Sequence, residues 1–143
     1  MGARRITQPM PTFVLIGHCG PDSYLLKGAI GRAVPGASIV FAEDDDSLRL
    51  RLAADSILLI NRVLDDGFDT ESGVELIERL AKAAPRPIMM LISNHDDAQQ
   101  RALAVGAMPG FGKRAVNQPR TADLLRLASE AAASAPATTR NES

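Results

Sequence analysis

Pro87-Ile-Met-Met-Leu-Ile-Ser93 is the stretch whose reading decides the fold. Its five successive apolar residues, Ile88 to Ile92, are bounded in front by Pro85 and Pro87 and behind by Ser93-Asn94, which is strand length and too short for a helix. Polar and apolar side chains do not alternate along it. A strand of that kind has both faces covered, as in a parallel sheet with helices on either side. Four further runs of the same character lie outward from it: Phe13 to Ile16, Ser38 to Phe41, Ile57 to Ile60, and the stretch around Gly110 to Gly112. Five strands with both faces dry are therefore expected. Met89 and Met90 read as core filler.

Each strand is followed by apolar residues at helical spacing. Leu25, Leu26, Ala29, Ile30 and Ala33 form the first helix, after a Pro21-Asp22 start in which Asp22 is placed to cap free amides. Leu48, Leu50, Leu52 and Ala53 form a short second helix behind the acidic run Glu43 to Asp46, which suits a helix N-terminus better than a metal. Val74, Ile77, Ala81 and Ala84 form a third, opened by a Ser72/Glu75 capping box and stopped by Pro85 and Pro87. Ala98, Ala102 and Val105 form the fourth. The fifth, with Leu124, Leu125, Ala128 and Ala131, is entered through Pro119. Five alternations with short connections predict an α/β doubly wound sandwich, (βα)5, around a five-stranded parallel sheet. Sites in such sheets lie beyond the carboxyl ends of the strands. That edge carries Gly17, His18 and Cys19, then Asn61, then Ser93, Asn94 and His95, then Lys113.

Composition narrows the function. The 143 residues, 45% of them hydrophobic, suit one domain with a sizeable core. Sixteen Lys+Arg against seventeen Asp+Glu give a net charge of -1, so no overall field draws the chain to nucleic acid or to an anionic membrane. Arg4, Arg5, Arg49, Arg51 and Arg114 are dispersed, and aromatics are too few for a single-stranded nucleic-acid platform. No apolar run approaches bilayer-spanning length. The lone Cys19 fits a reducing, cytoplasmic setting. Residues 1–11 read as a flexible arm without a signal-peptide core, 12–130 as the domain, and 131–143, rich in Ala, Ser, Pro and Thr, as a disordered tail.

From about Phe13 to Leu127 the chain resembles the receiver domain of two-component response regulators, a flavodoxin-like fold. The resemblance rests on Ile57-Leu-Leu-Ile-Asn61 followed by Gly73-Val-Glu-Leu76, on Pro87 to Ser93 with His95-Asp-Asp97, and on Ala104-Val-Gly-Ala107 leading to Gly112-Lys113. It implies a module that takes phosphoryl from a histidine kinase, and it gives Ser93 and Lys113 the roles of the family's phosphoryl-binding hydroxyl and lysine. Several positions depart from the pattern. The strand-three aspartate that accepts phosphoryl is here Asn61, and an amide is a poor nucleophile with no acid to ionise. The acidic pair that holds magnesium is replaced by Gly17 and His18. The aromatic three residues before the lysine is Gly110, Arg114 stands where a proline usually follows it, and the Arg62 to Ser72 loop is longer than the family's.

The resemblance with these departures implies a degenerate, or pseudo-, receiver: a protein-binding module in two-component-type signalling, not an enzyme, with no cofactor and no metal. Lys113 is expected to bond the Asn61 amide oxygen, its charge balanced only by Asp65, Asp66 or solvent. The family implies a working face of helix four, strand five and helix five, including Ala98 to Val105 and Arg120 to Arg126. Its partner would be a histidine kinase, another signalling protein or a second copy, with output in trans because the chain ends after helix five. Two alternatives stand beside this. One is a stand-alone phospho-accepting regulator using Asp65 or Asp66. The other is a metal- or redox-sensing domain built on His18, Cys19 and His95 with Asp22 or Asp65, against which the plainer reading of Gly17-His-Cys-Gly20 is a turn with Cys19 packed as a small apolar group. A His18/Cys19 nucleophilic pair lacks a third group to orient the imidazole. Gly106, Gly110 and Gly112 flank a strand and so form no phosphate cradle.

Overall fold

A computed structural model describes residues 10–135; residues 1–9, with most of the expected arm, and 136–143, with most of the expected tail, lie outside the described residues. The element order is β1 (Thr12–Ile16), α1 (Gly20–Ala33), β2 (Ser38–Ala42), α2 (Asp45–Arg49), β3 (Ser56–Asn61), α3 (Gly73–Leu80), β4 (Ile88–Ile92), α4 (Asp96–Ala104), β5 (Met108–Phe111) and α5 (Pro119–Ala133). All pairings are parallel and the order is β2-β1-β3-β4-β5, the flavodoxin-like α/β arrangement expected. The order reverses at β1, so its carboxyl end and that of β3 flank the natural site.

Alternation along each strand divides the core in two. Ile57 and Leu59 of β3 join α1 and α5 through Leu26, Ile30, Leu125 and Ala128 on one face. Leu58 and Ile60 join α2, α3 and α4 through Leu48, Ile77, Ala98 and Ala102 on the other. All four β3 side chains are fully buried. Each such burial is worth about 1.5–3 kcal/mol, so this strand is the energetic centre of the sheet.

Several expectations at the edges are corrected. β2 is an edge strand, so Ser38 and Phe41 are exposed where both faces were expected to be dry. β5 starts at Met108 instead of Gly110. α2 is little more than one turn, capped by Asp44, and Leu50 beyond it is exposed. α3 ends at Leu80, short of Ala81 and Ala84. Its Ser72 cap holds Glu75 N at 3.1 Å, but the Glu75 carboxylate accepts from the Thr70 hydroxyl instead of reaching back to Ser72, so the capping box is half formed. α5 runs to Ala133, into the stretch read as tail, with Ala132 buried against the core. Among the described residues no helix is long and apolar enough to cross a membrane.

Candidate functional site

Asn61 is the last residue of β3, Lys113 opens a short 3-10 turn immediately after β5, and Asp22 lies in the first turn of α1. The carboxyl edge of the sheet brings the three together. Lys113 Nζ donates to Asp22 Oδ2 at 2.7 Å and to Asn61 Oδ1 at 3.2 Å. Asn61 Nδ2 donates to Gly17 O at 3.1 Å and to Val63 O at 2.9 Å. Both hydrogens of the amide and its oxygen are thus engaged. The Lys113 and Asp22 side chains are 30% and 25% exposed, so the pair is partly shielded from water and stronger than a freely solvated one.

The Lys113 to Asn61 bond is the one expected, but its counter-charge is not. Asp22, assigned above to capping, makes no cap bond; Cys19 is the N-cap residue and gives none from its side chain. Asp22 instead neutralises Lys113, in place of Asp65 or Asp66. Its carboxyl is held below the ordinary range, first by the hydrogen bond from Lys113 and also by one from the Cys19 thiol. Cys19 itself is exposed and is not packed as a small apolar group.

Gly17 contributes its carbonyl to Asn61 and no side chain. His18 Nε2 lies 2.9 Å from Leu59 O, so the ring is the tautomer that donates there. Its Nδ1 is buried with no hydrogen-bond partner. Burial pushes the His18 pKa down to about 4, with the Leu59 carbonyl opposing and the nearby Lys113 charge adding to the fall, so the ring is neutral at pH 7.

The receiver fold implies magnesium at this edge, and the residues present do not fit it. Magnesium asks for carboxylate oxygens. Here a glycine, a neutral imidazole and an amide occupy the positions, and the one carboxylate that reaches the centre among the described residues, Asp22, is held by an ammonium. Nor does the structure gather the alternative ligands. Among the described residues no group of three or more His, Cys, Asp or Glu is placed to hold a metal.

Ser93 is buried, and its Oγ accepts from His95 N at 3.1 Å, closing the turn into α4. His95 is the α4 N-cap residue without a side-chain cap bond. Neither is bonded to the Lys113 centre. A residue not anticipated, Gln99 of α4, donates from Nε2 to Leu91 O at 2.9 Å and to Ser93 O at 3.0 Å. The β4/β5 ladder shifts register between Met90 and Ile92, beside this contact. A Cβ on Gly110 would lie 2.1 Å from Leu91 O and 3.0 Å from Gln99 Oε1, so no side chain fits where the family's aromatic would stand. The sequence signal for Gln99 is weak, because a lone glutamine on a helix is usually solvated.

The loop between β3 and α3 folds back on itself. Val63 bridges Ser72 in antiparallel fashion, and Leu64 N donates to Glu71 O at 2.9 Å. Leu64 and Phe68 bury into the core, which leaves Asp65 and Asp66 exposed at the tip.

The sequence matches no protein-family model and no curated protein. Solved structures match it by shape. The signal receiver domain of a DNA-binding response regulator from Colwellia psychrerythraea 34H superposes with a TM-score of 0.64 at 18% identity, covering 83% of this chain and 98% of that one. The non-phosphorylated receiver domain of the stress response regulator RcsB from Escherichia coli gives 0.62 at 14%, covering 83% and 93%. A response regulator receiver domain from Rhodospirillum rubrum gives 0.56 at 18%, covering 81% and 89%. Strand order, helix placement and these superpositions agree that the chain has the receiver-domain fold of response regulators.

Proposed function

We propose that the chain is an atypical receiver-type module of two-component-type signalling that works by binding other proteins, accepts no phosphoryl group and has no enzymatic activity of its own. One observation carries the reading: the Lys113 ammonium is already shared between the Asp22 carboxylate and the Asn61 amide oxygen. In a phospho-accepting site a carboxylate nucleophile and a metal stand beside such a lysine, whereas this one meets an amide oxygen and the Asp22 carboxylate. Here the nucleophile is an amide whose two hydrogens are spent on Gly17 and Val63 carbonyls. Asp65 and Asp66 do not supply a relocated acceptor, because they are exposed at the hairpin tip with no cation paired to them among the described residues. Asn61, Gly17 and His18 are accordingly the degenerate positions, and Ser93 and Lys113 retained residues with structural duties.

The partner surface is the α4–β5–α5 face, where Leu103 and Leu127 stand exposed on the two helices flanking β5. A histidine kinase, another cytoplasmic signalling protein or a second copy would dock there, and the net charge of -1 gives nucleic acid and membranes no general attraction. The test is intact-protein mass spectrometry after incubation with magnesium and acetyl phosphate, alongside a working receiver. No phosphoryl increment is expected. An increment mapping to Asp65, Asp66 or any other aspartate would overturn the reading in favour of a stand-alone phospho-accepting regulator.

A further inference from the structure

The folded-back β3–α3 hairpin helps line a cavity beside the Lys113 centre, with Gly17 and His18 common to both. It has a volume of about 730 Å3 and opens at the carboxyl edge of β1 and β2, with His18 in its lining. Its lining brings Tyr24 and Lys27 of α1 and Phe41 of β2 together with Glu43 and the hairpin residues Asp65 and Asp66. The hairpin part of the lining is held by hydrogen bonds to the start of α2. Asp45 N donates to Gly67 O at 3.2 Å and Asp69 N to Asp45 Oδ2 at 2.9 Å, tying the hairpin to the start of α2. Gly67 makes that approach possible, since a Cβ there would lie 2.0 Å from Glu43 O. The acidic hairpin is therefore positioned by contacts of its own chain.

Its chemistry is lopsided. Tyr24 is 78% exposed and Phe41 42%, a large outlay of aromatic surface for a chain with one tyrosine and four phenylalanines. Glu43, Asp65 and Asp66 are ion-paired to nothing among the described residues. Among the described residues Lys27 is the single cation in the lining, and His18 is neutral. The Lys27 ammonium sits 5.9 Å from the centroid of the Phe41 ring, so the ring face is already used to receive positive charge.

We propose that this cavity binds a small organic cation, an amine or guanidinium on a flat apolar body, with the charge toward Glu43, Asp65 and Asp66 and the body against Tyr24 and Phe41. Lys27 acts as an internal occupant that an incoming cation displaces from the ring. The site rests on the reading above only in that Asp65 and Asp66 carry no phosphoryl group; among the described residues none of these side chains touches Asn61 or Lys113 through a hydrogen bond or ion pair.

The experiment is isothermal titration of the full chain with phenethylammonium, and with phenylacetate and 2-phenylethanol as the charge-inverted and neutral counterparts. Saturable binding of phenethylammonium alone is expected. Together E43Q, D65N and D66N should weaken it about ten-fold, taking roughly 0.5 kcal/mol for each exposed carboxylate. F41L should cost about two- to five-fold, the worth of an exposed cation–π contact. K27Q should tighten binding several-fold, a change of opposite sign that loss of structure does not produce. Thermal melts of each variant separate misfolding from lost affinity. Equal binding of 2-phenylethanol, unchanged affinity in the triple variant, or no phenethylammonium binding up to about 10 mM would overturn the proposal. Binding of an arginine-bearing peptide with the small amine silent would overturn it too, in favour of a protein partner at this face.

Discussion

Removing either end of the Asp22–Lys113 pair should destabilise the domain, and removing both should cost less than the sum. Fully exposed pairs are worth about 0.2–1 kcal/mol, whereas stripping one partner from a buried pair costs about 3–5 kcal/mol. With side chains 25% and 30% exposed and an N to O distance of 2.7 Å, this pair falls between those limits. D22A should therefore cost about 1–2 kcal/mol, the lower end being favoured because the stranded ammonium keeps the Asn61 oxygen and some water. K113M, which keeps the alkyl stem, should cost about 1 kcal/mol. A coupling of about 1 kcal/mol should appear in the double-mutant cycle. Urea unfolding followed by far-UV circular dichroism suits a chain without tryptophan, and a melt should fall by roughly 3–8 °C for D22A. The pH dependence has a definite sign. A carboxyl whose folded pKa is depressed stabilises above its unfolded value and loses that contribution as pH falls through the folded one, so the coupling should be full at pH 7 and vanish in acid. A coupling under about 0.3 kcal/mol at pH 7, the scatter of independent sites, would refute the view that Asp22 is the counter-charge of Lys113.

Two more outcomes follow from the same geometry. N61D should not restore phosphorylation, and it should lower stability by about 1–3 kcal/mol, because the Gly17 and Val63 carbonyls that now accept from the amide would face carboxylate oxygen; urea unfolding and intact mass report the two halves separately. His18 has a folded pKa of about 4 against an ordinary 6.5, so the unfolded chain takes up the proton first and stability should fall by about 2 kcal/mol between pH 7.5 and pH 5, a slope that H18N should flatten and whose persistence in H18N would assign it elsewhere.

The strands were legible because their apolar runs are continuous and short, as strands of a parallel sheet covered by helices read, although the edge strand β2 is not covered on both faces. Of the carboxyl edge, Asn61, Ser93 and Lys113 could be placed because each lies at the end of a strand or within two residues past it. Asp22 could not. Its proline-flanked position at the start of a helix reads as a cap, and its meeting with Lys113 depends on α1 and the end of β5 sharing one edge, a juxtaposition no local pattern encodes. The hairpin of residues 62–72 was hidden for a similar reason. Its acidic tip reads as a solvated loop, while its fold depends on Leu64 and Phe68 finding the core. Gln99 was missed because its value lies in two backbone carbonyls, one of them within a strand whose ladder shifts there.

If the module accepts no phosphoryl group, as proposed, the Lys113 that Asp22 already neutralises has no covalent input to read. In the reading proposed above, the amount of active module is then the amount of protein present, and its output follows mass action alone: half of its partner is occupied when the free module concentration equals Kd. Control passes from a modifying enzyme to synthesis, degradation and competition among binders, so the response is graded in abundance and as slow as turnover.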